Sequence, residues 1–273
     1  MLQYWATLLF TVLLSVTTAR AEVSFPVEWQ GRQIQIGARF LKPPGPGPFP
    51  LVILLQHCGG RDAYDANMLP IYASLLTGQG YATLQPDSFV PRGYPNGVCG
   101  TFDVKPRDAA HDAFDLATFM MDDPEIRRDR IGVIGLSHGA HAAAQIARDF
   151  DYERPWRAQL AAKGGKFVAS VAMYGEACGN PDNSPVILPS LLLLGGRDST
   201  TRPELCAALA RTPGNGMLQV QVYPDAFHAF DAPSNSGVDH ARSVSGGWVI
   251  GYDAAAAQDA RARLVAFFRE HLQ

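Results

Sequence analysis

Apolar runs of strand length recur along the chain, at 33–41, 51–55, 81–84, 131–134, 167–173, 186–194 and 218–222. The later runs are continuous and do not alternate with polar residues, the pattern of strands buried on both faces. Segments of helical period lie between them. Over 107–121 the residues Ala109, Ala110, Ala113, Leu116, Ala117 and Met120 fall on one face, with Pro106 suited to the first turn. Asp253 is placed to cap a last helix carrying Leu264, Val265, Phe268 and Leu272. Strand and helix alternate through most of the length, which predicts an α/β fold: a mostly parallel sheet with helices on both faces, opened by an antiparallel edge. The Pro-, Ser-, Gly- and Asn-containing stretch 232–251 reads as one long loop, the kind that forms a lid or a substrate wall.

The N-terminus sets the compartment. An apolar run from Tyr4 to Val16 is followed by Ala19-Arg20-Ala21, the form of a secretory cleavage site. The expectation is a signal peptide over 1–21, cleaved or retained as an anchor, and a single domain over 22–273 in a secreted or periplasmic protein. The run is short for a membrane span, so no stable membrane association is expected after removal. Cys58, Cys99, Cys178 and Cys206 all follow the cut, and an even count in an exported chain suggests two disulfides with three possible connectivities. None forms a CxxC pair. The net charge is −3 with no basic run, which argues against nucleic acid or an anionic membrane as a partner.

Between the run at 131–134 and the alanine-rich segment that follows stands Gly135-Leu136-Ser137-His138-Gly139. GxSxG alone is weak, but here it joins a strand to a helix. That is where a nucleophile is held at a strained apex, where flanking glycines are required because a Cβ would collide with neighbouring elements. A serine nucleophile needs a base and the base an orienting acid, in the chain order Ser, Asp or Glu, His. Asp198 follows the run at 186–194, and His228 follows the run at 218–222. Asp225 and Asp231 flank His228 too closely in sequence to reach the ring nitrogen opposite the serine. For an oxyanion, the backbone N–H groups of His138 and of Cys58, in the glycine-containing loop Gln56-His57-Cys58-Gly59-Gly60, are the natural pair. His138 and His141 make an HxxH pair without the glutamate of a metalloprotease helix, and His111, His240 and His271 show no partner, so neither metal nor cofactor is expected.

At this point the chain resembles the dienelactone hydrolase family of α/β-hydrolases. The resemblance rests on QHCGG, QPDSFVPRG, RDAAHDAFD, GLSHGAH, LLGGRDST and VYPDAFHAFD and covers nearly all of 22–273. It implies Ser137 as nucleophile, Asp198 as acid and His228 as base. Dienelactone hydrolases proper carry cysteine at the elbow, checked by a glutamate, where this chain has Ser137 and His57. They also clamp a substrate carboxylate with two arginines. Arg92 matches one, while 229–232 offers none for the second. Serine-bearing exported members are the better match, and their cysteine placement implies the pairs Cys58–Cys99 and Cys178–Cys206.

The expected activity is serine hydrolysis of a carboxylic ester or lactone, a small-molecule substrate, through an acyl-enzyme. His57, Arg92, Tyr174 and Trp248 are candidate substrate contacts. The alternatives are a peptidase or amidase on the same triad, and a binding protein that kept the fold without catalysis.

Overall fold

The computed structural model describes residues 20–61, 68–175, 178, 184–212, 215–236, 242–243 and 248–273. The expected signal segment lies outside the described residues except at Arg20 and Ala21. These two open strand β1 (Arg20–Trp29) and pair with Leu41 and Phe40 of β2 (Arg32–Leu41), so a cut after Ala21 would shorten β1 by two residues. The hydrophobic pattern does not indicate β1: only its Phe25 and Val27 are buried, and Pro26 is tolerated because the strand is an edge.

Six more strands complete the main sheet: β3 (Phe49–Leu55), β4 (Ala82–Pro86), β5 (Ile126–Leu136), β6 (Phe167–Met173), β7 (Ser190–Gly195) and β8 (Leu218–Tyr223). Their order is β1-β2-β4-β3-β5-β6-β7-β8, with β1, β2 and β4 joined antiparallel and all other neighbours parallel. β5 begins five residues before its apolar run because Ile126–Arg130 carries charged, partly solvated side chains. The run at 186–194 is cut short because Pro189 has no N–H for the ladder; Val186 makes only an isolated bridge to Arg148.

The helices are α1 (Leu69–Gly78), α2 (Pro106–Met120), α3 (His138–Ile146), α4 (Arg154–Ala162), α5 (Pro203–Ala210) and α6 (Ala254–Leu272). α2 buries the six residues expected on its inner face, and Asp253 caps α6 by accepting from the N–H groups of Ala255 and Ala256. One face of the sheet packs against α1 and α6 through Tyr72, Leu76, Leu264 and Phe268, the other against α2, α3 and α4 through Phe114, Ile146 and Leu160. Among the described residues, no helix is long and apolar enough to cross a membrane.

The stretch 232–251 is less of a loop than its composition suggests. Its residues 237–241 and 244–247 lie outside the described residues; the others include a helical turn at Pro233–Asn235 and a two-strand ladder, β9 (Arg242–Ser243) with β10 (Val249–Ile250). Ile250 also bridges to His228.

The chain leaves β3 toward β4, then returns to place β5 on the other side of β3. Such a reversal opens a crevice at the carboxyl ends of the two strands. The loop after β3 holds His57 and Cys58, and the turn after β5 holds Ser137.

Candidate active site

Ser137 sits between β5 and α3 with φ 50° and ψ −109°, in the left-handed region that an L-residue rarely adopts. The glycines on either side make the turn possible: a Cβ at Gly135 would lie 1.9 Å from the carbonyl oxygen of Gly139, and one at Gly139 2.3 Å from that of Leu55. Ser137 N–H donates to the Met173 carbonyl at 3.0 Å, tying the apex to the end of β6.

Asp198 and His228 come from the loops after β7 and β8. His228 Nε2 lies 2.9 Å from Ser137 Oγ, and His228 Nδ1 lies 2.8 Å from Asp198 Oδ2. A carboxylate can only accept, so Nδ1 carries the proton and Nε2 is free to take the one on Ser137. Burial pushes the Asp198 carboxyl up, but the hydrogen bond and charge of His228 and two hydrogen bonds from Thr200 outweigh it and hold the carboxyl below the usual range.

Thr200 is the residue that sequence reasoning missed. Its N–H and Oγ1 donate to Asp198 Oδ1 at 2.8 and 2.7 Å, and Oγ1 is 2.9 Å from His228 Nδ1. A hydroxyl two residues after an aspartate commonly folds back onto it, so the signal in Arg197-Asp198-Ser199-Thr200 was present.

The candidate oxyanion donors flank the same point. Among the described residues, the N–H groups of Cys58 and His138 have no hydrogen-bond acceptor. The His138 side chain anchors its own backbone: Nε2 donates to the Val104 carbonyl at 2.9 Å, and the ring packs edge-on to Phe89 and stacks with Phe102. Burial lowers its pKa to about 4, with the Val104 contact opposing, so the ring is neutral at ordinary pH. Cys58 is held from the other side by the Cys58–Cys99 disulfide; the second bond, Cys178–Cys206, ties the end of β6 to α5.

A cavity of about 250 Å³ opens above Ser137 and His228, walled by the Cys58–Cys99 disulfide, Tyr174, Ala229, Trp248 and Ile250, with His57 and Gly59 at one side. Tyr174, at φ 43°, packs edge-on to His228 at 5.1 Å between ring centres. His57 accepts the Gly59 N–H at Nδ1, which leaves its proton on Nε2. Burial first, then the charges of His228 and His138, lower its pKa to about 3.

Arg92 is a correction. Its guanidinium forms a bidentate pair with Asp112 at 2.8 and 2.7 Å, donates to the Ser88 carbonyl and lines a separate cavity bordered by Trp29 and Trp156. A buried Arg so engaged cannot turn to a substrate carboxylate without stranding Asp112. Asp231 likewise does not wall the cavity above Ser137. It is fully buried and accepts from Tyr72 Oη at 2.5 Å. Of the other histidines, His111 stacks on Trp156 and His271 packs against Phe267, while His240 lies outside the described residues. Among the described residues, one triplet brings metal-ligand atoms together, His57 with Cys58 and Cys99, and its two sulfurs are bonded to each other.

Comparisons with known proteins agree with this architecture. The model of the "Dienelactone hydrolase family" matches residues 156–272, a span that includes Asp198 and His228 but not Ser137. A "Putative phosphoribosyl transferase" of Mycobacterium tuberculosis is 28% identical over 182 residues, covering 67% of this chain but only 37% of its own length. A "Putative carboxymethylenebutenolidase" of Escherichia coli is 26% identical over 222 residues, 74% of each chain. In solved structures, a "Putative Dienelactone Hydrolase" from Klebsiella pneumoniae shares the fold with a TM-score of 0.67, at 21% identity, over 92% of this chain and 99% of its own. The fold is that of solved dienelactone hydrolases, and the dienelactone hydrolase family model and the carboxymethylenebutenolidase relative are what this chain is similar to.

Proposed function

We propose that this protein is a serine hydrolase that cleaves a carboxylic ester or lactone through an acyl-enzyme on Ser137. The observation that carries the proposal is the hydrogen-bonded series from Ser137 Oγ to His228 to Asp198, set at a strained turn beneath an apolar cavity. Ser137 Oγ attacks the carbonyl carbon as His228 Nε2 takes its proton. The carbonyl oxygen becomes an oxyanion received by the N–H groups of Cys58 and His138. Collapse expels the alkoxide, which leaves as the alcohol with the proton from His228. Water then attacks the acyl ester, His228 accepting a proton from it and returning it to Ser137 Oγ. Asp198 holds the tautomer and balances the imidazolium.

The family supports an ester or lactone as substrate, and the relative named for carboxymethylenebutenolide points the same way. Two disulfides support export to an oxidising compartment as one unit beginning near residue 22. The test is intact mass before and after a fluorophosphonate, with peptide mapping. A single adduct on Ser137, absent in Ser137→Ala, is expected. A folded chain that stays unlabelled and hydrolyses no ester refutes the proposal.

A further inference from the structure

Two cavities meet at Ser137. The first is the 250 Å³ space walled by the disulfide, Tyr174, Ala229 and Ile250. The second, of about 300 Å³, is bordered by Phe102, His138, His141 and Thr200. Ser137, His228 and Trp248 are common to both linings, so Trp248 stands where one space passes into the other. The two differ in chemistry. Beyond the shared Ser137, His228 and Trp248, the first is bounded mostly by sulfur, aromatic and aliphatic groups with His57 at one side, the second by Phe102 together with the imidazoles of His138 and His141 and the Thr200 hydroxyl, so the second is the more polar.

Among the described residues, neither lining contains a lysine or arginine. Arg92 is bound to Asp112 elsewhere, and Arg261 donates to the Asp231 carbonyl behind the site. The imidazole of His57, on the wall of the first cavity, is neutral at ordinary pH. A carboxylate carried into that cavity would therefore be desolvated with no counter-charge among the described residues, which is strongly unfavourable.

The acyl group stays on Ser137 after the alcohol has left and while water enters. The apolar space suits the part that remains, and the more polar space suits the traffic of alcohol and water. A dry cavity of about 150 Å³ takes a benzene ring, so one of 250 Å³ has room for roughly one ring and a few methylenes beyond it.

Resting on the assignment of Ser137 as nucleophile, we infer that the substrate is an ester with a short, apolar, uncharged acyl group seated against the Cys58–Cys99 disulfide, and that Trp248 limits its length. This substrate class excludes carboxylate-bearing acyl groups.

The experiment is a series of ethyl esters followed by pH-stat with the full chain. Ethyl pentanoate and monoethyl succinate have acyl groups of similar shape, one ending in a methyl and the other in a carboxylate; ethyl dodecanoate tests length. The expected kcat/KM for pentanoate exceeds that for succinate by about 100-fold or more, since the buried charge finds no partner. Dodecanoate is expected to be a poor substrate, and Trp248→Ala should raise its kcat/KM relative to pentanoate by about tenfold or more, a gain typical of opening an apolar pocket by several methylenes. Trp248→Phe should move the ratio the same way by less, and it serves if the alanine variant does not fold. Succinate or dodecanoate hydrolysed by the wild type within threefold of pentanoate would overturn the inference, as would an unchanged ratio in both variants. Failure of the nucleophile assignment has a separate signature: no hydrolysis of any ester, with Ser137 unlabelled by fluorophosphonate.

Discussion

Replacing Thr200 by valine removes one oxygen and almost no volume. Oγ1 donates to Asp198 Oδ1 at 2.7 Å and lies 2.9 Å from His228 Nδ1, so the change deletes a charge-assisted hydrogen bond and one of two acceptors near the imidazole proton. A hydrogen bond to a charged group contributes about 1.5–3 kcal/mol. The Thr200 backbone N–H still donates to the same carboxylate oxygen at 2.8 Å, and Asp198 Oδ2 still holds His228, so the lower end applies. About 1.5 kcal/mol corresponds to roughly a tenfold fall in kcat. In the proposed mechanism the imidazolium forms only as Ser137 gives up its proton, so KM should change little. The Asp198 carboxyl is held low in part by Thr200, and losing that donor raises its pKa. Initial rates on an ester, with Thr200→Ser as control, check kcat and KM. A Thr200→Val enzyme that retains kcat within twofold, or loses only KM, would refute this role for the hydroxyl, as would a serine that fails to restore what valine removes.

Ser137→Ala should lower kcat by several orders of magnitude with substrate binding retained, which single-turnover and inhibitor-binding measurements separate. The two disulfides close loops of 41 and 28 residues, each worth about 4 kcal/mol by chain entropy, yet paired Ser replacement of Cys58 and Cys99 should depress kcat far more than that of Cys178 and Cys206, as only the first holds a proposed oxyanion donor. Thermal melts alongside rates would show it. Glu153 is buried and its carboxyl is pushed up to about 8 from 4.5 by burial, with Arg157 and Arg107 opposing. Below pH 4.5 both folded and unfolded states hold the proton; between 4.5 and 8 only the folded state does. Stability is therefore lost as pH rises through that window, by on the order of 5 kcal/mol in full. Glu153→Gln should flatten that slope in urea titrations at about pH 4 and about pH 9, on either side of the window.

The parts of this molecule legible in the sequence are those fixed by local rules. Ser137 announces itself because a strained turn between β5 and α3 admits only glycine at 135 and 139, a steric demand that leaves its mark within one short motif. Asp198 and His228 follow because a parallel sheet sends each chain end to the same edge. What depends on pairing across distance is less readable. β1 is visible only through its partner β2, and the His138 ring is held by Val104, Phe89 and Phe102, none of which is near it in the chain. Arg92 shows the limit most clearly. Its position in a matching motif suggests a substrate contact, but an arginine's role is set by whichever carboxylate it meets, and here Asp112 on α2 meets it first. The motif keeps the residue while the fold turns it to a structural use, because the buried pair joins the segment after β4 to α2. Among the described residues, no guanidinium lines the cavity above Ser137. The described lining of that cavity is thereby left mostly apolar, and the sequence alone does not reveal it because the deciding contact is 20 residues away in the chain.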